Sequence, residues 1–281
     1  MNKFYIQVVF FLLSIFVYAN NEALATEPAP RKDKKSKSKV RYSTSEEIYE
    51  KNKDRLCTDS EETKQAIKLM NEAVIHLAYH AKSEDDYEYR KWSSDYNKTF
   101  KRKKHGDTVI QRISFKYDNS SKYNEIINLF WNPSFANNFN NGSVKRKIVR
   151  AYNPNLVIIQ QRYKNGFRDH WKYFYALAAK FDVTEEKAII AMTSPNINDH
   201  HPSEKEYKNT IIESANLFKI DIDSSESIRS GKLEKTFLNI AGFIIEKNKW
   251  DIDITYLESI DGHISNFNKL FIEKALIKLL H

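Results

Sequence analysis

At 281 residues, 41% of them hydrophobic, the chain is long enough to bury one sizeable core, and its single cysteine excludes an intramolecular disulfide. The formal charge of +8 is concentrated: residues 26–41 hold +5, with seven basic side chains from Arg31 to Arg41 against Glu27 and Asp33. A pI near 9.2 therefore does not mark the folded part as a specific nucleic-acid binder, and six glycines with no Gly-x-Gly-x-x-Gly leave nucleotide chemistry no seat.

Lys3 precedes an apolar run from Phe4 to Tyr18, and Ala23-Leu24-Ala25 follows it. This pattern predicts a secretory signal peptide over residues 1–25, because the run is shorter than the roughly 20 residues of a spanning helix. No later segment is apolar enough to anchor the chain, so a soluble, secreted product is expected, with a retained signal anchor as the alternative. Residues 26–57 read as a disordered basic arm and linker. Arg31 to Arg41 would attract a membrane surface or another polyanion, or serve only as a solvated spacer.

The folded domain is expected over residues 58–281. Ile67, Met70, Val74, Leu77 and Ala81 recur at helical spacing and predict a helix over 61–82, with Thr58–Glu61 and Asp59–Glu62 as candidate capping boxes. Strands are predicted over 87–93, 99–104 and 108–117, then a short helix marked by Tyr123, Ile126, Ile127 and Phe130 that Asn132-Pro133 ends. Further strands are predicted over 144–152, 156–163, 170–181 and 187–193, a polar loop over 194–206, and a strand over 215–222. Asn97, Asn119 and Asn141 begin N-glycosylation triplets in what read as loops.

Two long segments, Leu233 to Glu246 and Trp250 to Ile260, close the strand series, and residues 266–280 read as a final helix with Phe267, Phe271, Ala275, Leu276 and Leu279 on one side. The strands are apolar on both faces, where a solvated antiparallel hairpin alternates. Both faces must therefore be covered, one by a helix and the other by a ligand. The order of elements predicts one α+β domain, with a curved antiparallel sheet and helices on its concave side.

Catalytic chemistry finds no seat in the sequence. His76 and His80 have zinc-helix spacing, but Leu77 stands where the general-base glutamate of His-Glu-x-x-His belongs, and His200-His201 lies in a polar loop. These read as ordinary residues, so no metal or cofactor is expected and the chain is not read as an enzyme. Cys57 precedes a helix start, which would lower its thiol pKa, but no histidine partner stands near it in sequence.

The candidate binding residues are aromatic and charged. Trp171, Tyr173 and Tyr175 alternate on one strand face, and Tyr163 and Tyr256 come from other strands; such rings form either a cage for a quaternary ammonium group or plain core. Arg162 and Glu258 are charges inside apolar segments, each needing a partner, a ligand head group or an outward direction, and Arg162 with Gln161 would suit a lipid phosphate.

Met1–Ile6, Tyr42–Tyr49, Gly142–Val149 with Tyr152–Leu156, and Tyr256–Gly262 resemble the fam-a proteins of malaria parasites over essentially the whole chain. Leu129-Phe-Trp-Asn-Pro133 is similar to the Leu-Trp-Asp-Pro element of START domains, and Asn239–Glu246 with Ile254–Leu257 to their last two strands. The resemblance implies a secreted helix-grip (START-like) protein whose sheet wraps the C-terminal helix around an apolar cavity. It further implies export to the parasitophorous vacuole or host red cell, and a phospholipid partner, phosphatidylcholine in particular. Phe267, Phe271, Ala275, Leu276 and Leu279 would then line a lid. An adhesion protein that keeps this fold with a filled cavity is the alternative. Gly262 directly after Asp261, with no proline following, departs from the START pattern before that lid.

Overall fold

The computed structural model describes residues 42–93, 98–133, 144–164, 170–203 and 205–262. The expected lid, Phe267 to Leu279, lies outside the described residues, as do two of the glycosylation triplets' asparagines, Asn97 and Asn141.

The segments apolar on both sides form the centre of one large sheet. Its strands are β1 (Glu88–Ser93), β2 (Lys98–His105), β3 (Thr108–Tyr117), β4 (Val144–Asn153), β5 (Leu156–Tyr163), β6 (Lys172–Thr184) and β7 (Lys187–Thr193), with β11 (Phe237–Lys247) and β12 (Ile252–Asp261). They pair antiparallel in the order β1-β2-β3-β12-β11-β7-β6-β5-β4, and a two-residue strand β10 (Glu234–Lys235) runs parallel beside β6. β11 is buried without interruption from Phe237 to Ile245.

Both faces of β11 are covered because two helices approach from opposite sides. Helix α1 (Ser45–Glu50) precedes α2 (Ser60–Lys82), and α2 packs Leu69, Met70, Ala73, Val74 and Leu77 inward. Gly242 makes room for it: a Cβ there would stand 2.8 Å from Leu77 Cδ2. On the other face α3 (Tyr123–Trp131) stacks Phe130 on Phe243, with centroids 4.1 Å apart at 14°. Consecutive strand residues point to opposite sides, so Gly242 and Phe243 place α2 and α3 on different faces. The expectation of helices on one side is corrected accordingly.

A bulge between Leu238 and Ile240 changes the alternation of β11. Leu238 joins the α3-face core together with Ala241, Phe243 and Ile245, which have the opposite parity.

Three local expectations change. Asp59, not Thr58, caps α2, its Oδ1 accepting from Glu61 and Glu62 N–H at 2.8 and 3.1 Å. The apolar stripe of α2 is rotated, leaving Ile67 exposed and burying His80. The predicted strand over 215–222 shrinks to β9 (Lys219–Asp221), parallel to β8 (Asn196–Asn198) inside the expected loop, because residues 213–216 form a 3₁₀ turn. Asn209 organises that turn: its Oδ1 accepts from Ile211 and Ile212 N–H, and its Nδ2 donates to Thr193 Oγ1 and Asn239 O.

The packed chain also begins before Thr58. Thr44 and Glu47 form a capping box on α1, Ile48 enters the core, and Cys57 N–H donates to Ala151 O at 2.8 Å, which covers part of the β4 edge.

Candidate functional site

Seven of the eight residues singled out in the sequence divide between two faces, and Trp171 lies on neither. Gln161 and Tyr163 share the α3 face with Phe174, Tyr256 and Glu258, as strand alternation from the core residues Ile159, Phe174 and Ile254 requires. Arg162, Tyr173 and Tyr175 point to the α2 face. There Tyr173 OH donates to Asp199 Oδ2 at 2.9 Å, Gln160 donates to Tyr175 OH, and Arg162 donates to Gln160 Oε1 at 3.0 Å and Ser225 Oγ at 2.8 Å. These groups hold the segment between β7 and β11 against the sheet, so the expected single aromatic cage becomes two separate sets. Trp171 lies before β6, half-buried, with Lys145 and Lys164 Nζ about 5.5 and 5.4 Å from its ring centroid.

The α3 face is largely apolar but carries buried polar side chains, among them Glu258 and the Gln111 paired opposite it. Tyr256 OH donates to Glu258 Oε2 at 2.6 Å, and both residues are buried. Arg146, on β4, donates from Nε and Nη2 to Gln161 Oε1 at 2.9 and 2.6 Å. Tyr163 OH donates to Thr236 Oγ1 at 3.2 Å. Arg146 was missed in the sequence reading, although among Lys145, Arg146 and Lys147 it alone shares the parity of Val144 and Ile148.

Burial governs the charges here. Desolvation pushes Glu258 up to about 7, against the lowering effect of the Tyr256 hydroxyl, and brings Arg146 down to about 10, so the guanidinium stays cationic at neutral pH. A carboxyl raised in the folded state holds a proton that the unfolded chain has already lost between pH 4.5 and 7. Its contribution is therefore complete below pH 4.5 and is lost as pH rises through 7. Glu258→Gln is expected to match the wild type in urea unfolding at pH 5 and to exceed it by on the order of 2–3 kcal/mol at pH 8. Equal stability differences at the two pH values would remove this account. His80, lowered to about 3 chiefly by burial, destabilises both proteins alike as pH falls below 6.5, and so cancels from the comparison.

Among the described residues no group of three or more His, Cys, Asp or Glu side chains is placed to hold a metal. Cys57 Sγ lies 3.6 Å from Glu62 Oε1, and burial, aided by that carboxylate, pushes the thiol up rather than down. This corrects the lowering expected from its place before α2. Among the described residues no helix is long and apolar enough to cross a membrane.

The same architecture occurs in solved START-type proteins. Human STARD10 superimposes with a TM-score of 0.50 at 10% identity, covering 73% of this chain and 75% of that one. Human StAR-related lipid transfer protein 5 gives 0.52 at 7% identity, covering 76% and 92%. The chain thus has a START-like α+β fold, and at these identities the likeness is one of fold. No family model and no curated protein matches the sequence.

Proposed function

We propose that this chain is a secreted, non-catalytic carrier of a phospholipid. The observation that carries the reading is the polar group of Gln161, Tyr256 and Glu258, all buried, with the half-buried Arg146, on a largely apolar sheet face. A purely structural core has little use for a half-buried cation beside a buried carboxyl, since each is costly to desolvate. An amphiphile with a polar head and apolar chains suits both kinds of surface. Each methylene moved from water into the protein contributes about 0.8 kcal/mol, which makes an aqueous carrier workable. The START-like fold supports lipid as the class of cargo.

The finer points rest on the sequence. Resemblance to the fam-a proteins supports phosphatidylcholine as the lipid and the exported compartment as the place of action. The leader over residues 1–25 supports secretion, and the basic stretch from Arg31 to Arg41 supports transient contact with an anionic membrane. Residues 267–279 would act as the lid.

Full-length protein mixed with donor vesicles of fluorescent phosphatidylcholine and unlabelled acceptors is expected to accelerate transfer, and mass spectrometry of its organic extract to recover the same lipid. Folded protein that moves no lipid and yields none on extraction sinks the reading. The adhesion alternative, with a filled cavity, is favoured by one observation: a cavity between α3 and strands β4 to β7 measures about 20 Å³, the room of one water-sized group. On that alternative the transfer assay is blank.

A further inference from the structure

The basic triplet Lys145-Arg146-Lys147 of β4 divides by alternation: Arg146 shares the α3 face with Ile148, and Lys145 and Lys147 point to the α2 side. There Lys145 stands directly opposite Arg162 of β5, and Lys147 stands opposite Gln160, diagonal to Arg162. Like charges facing each other across a strand pair oppose folding. Among the described residues no carboxylate lies within ion-pair distance of Lys145, Lys147 or Arg162. Asp199, Asp223 and Asp54 pair instead with Lys235, Arg229 and Arg55, and the exposed Glu226 pairs with none of the three cations. Desolvation, then the charges of Arg162 and Arg55, lower the Lys147 ammonium pKa.

Arg162 is fixed in place rather than loose in solvent. Its Nε donates to Gln160 Oε1 at 3.0 Å and its Nη2 to Ser225 Oγ at 2.8 Å, while Gln160 is itself anchored to Tyr175 OH. Nη1 is left to donate elsewhere. Ser225 Oγ and Ser227 Oγ are 3.0 Å apart, and whichever hydroxyl donates in that pair, one proton is left over. The patch therefore offers donors and three positive charges. A carboxylate brings one charge and two oxygens, whereas a phosphate monoester brings up to two charges and three oxygens. We propose that Lys145, Lys147, Arg162 and Ser225 form a binding site for a phosphate monoester, borne by a lipid head group or by a free small molecule. Arg162 thus serves a phosphate without Gln161, which faces the other way. The site lies across the sheet from the α3 face and stands independently of the carrier reading.

The test titrates the full chain with inorganic phosphate, and separately with chloride, at matched ionic strength. The backbone amide resonances of Ser225 and Ser227 in the ¹⁵N spectrum are expected to shift saturably with phosphate and to stay in place with chloride. Arg162→Gln should weaken phosphate binding about ten- to hundredfold, the range of one hydrogen bond to a charged group. Lys147→Gln, at an exposed position, should weaken it about two- to fivefold, and so decides the matter even if the first variant does not fold. A wild type that responds alike to phosphate and chloride overturns the inference. So does phosphate binding that neither substitution weakens, which would place the anion on Arg31 to Arg41. Flotation with phosphatidylcholine vesicles, with and without phosphatidic acid, assigns the source. Extra binding to phosphatidic acid that Arg162→Gln loses marks a lipid head group, and vesicle binding unchanged by the variant, with the phosphate titration positive, marks a free phosphate monoester.

Discussion

Replacing Asp199 by alanine is expected to lower stability by about 3 kcal/mol, the low end for breaking a buried ion pair, because its partner Lys235 is 24% exposed. The carboxylate is buried, and it accepts from Tyr173 OH at 2.9 Å, Lys235 Nζ at 2.8 Å and His201 N–H at 3.3 Å. Alanine strands a lysine ammonium and a tyrosine hydroxyl at once. Asn keeps the volume and one acceptor oxygen, so Asp199→Asn should fall between the two. Urea unfolding checks the ranking, and a cycle with Tyr173→Phe should return a coupling above about 0.5 kcal/mol. A loss below about 1 kcal/mol for the alanine variant would mean that the network is replaced readily by water. Because Asp199 ties the segment between β7 and β11 to β6, limited proteolysis of that variant should cut first within residues 194–236.

Arg112→Ala is expected to cost about 3 kcal/mol and to loosen the C-terminal turn of α2 before the rest of the fold. One guanidinium nitrogen, Nη1, donates to His80, Ala81 and Ser83 carbonyls at 3.0, 2.8 and 2.8 Å, while Nη2 reaches Glu84 Oε1 at 2.8 Å. A helix end leaves these carbonyls unpaired and carries partial negative charge, so a buried cation there acts as cap and counter-charge together. The guanidinium also lies 4.3 Å from the Tyr87 ring centroid. Lysine keeps the charge without the planar fork, so Arg112→Lys should recover only part of the loss. Hydrogen exchange should show Leu77 to Lys82 losing protection in the alanine variant ahead of β11. Uniform loss across the domain would place the role of Arg112 elsewhere.

The two central strands and α2 were legible because their apolar patterns are long and leave one physical solution. β8, β9 and the 3₁₀ turn were not, since all are short and the turn is held by Asn209, whose partners Thr193 and Asn239 lie far away in the chain. The candidate site was half legible. Alternation correctly put Tyr173 and Tyr175 on one side of β6, but which side faces a ligand depends on what covers it, and residues 194–236 cover that one. Glu258 was visible as a charge in an apolar strand. Arg146 hid among basic neighbours on an edge strand, where charge usually means solvent.

The bulged central strand has a consequence for fidelity of pairing. In most sheets a one-residue slip is punished by water, because it turns the greasy side outward. β11 would stay apolar on both sides after such a slip, so hydrophobicity barely guards its register. Volume must do so instead: only residue 242 can lack a side chain where Leu77 descends, and Asn239 O must sit where Thr193 and Asn209 donate. Misalignment in this protein would therefore be a failure of fit rather than of solubility, producing compact, poorly ordered molecules before aggregated ones.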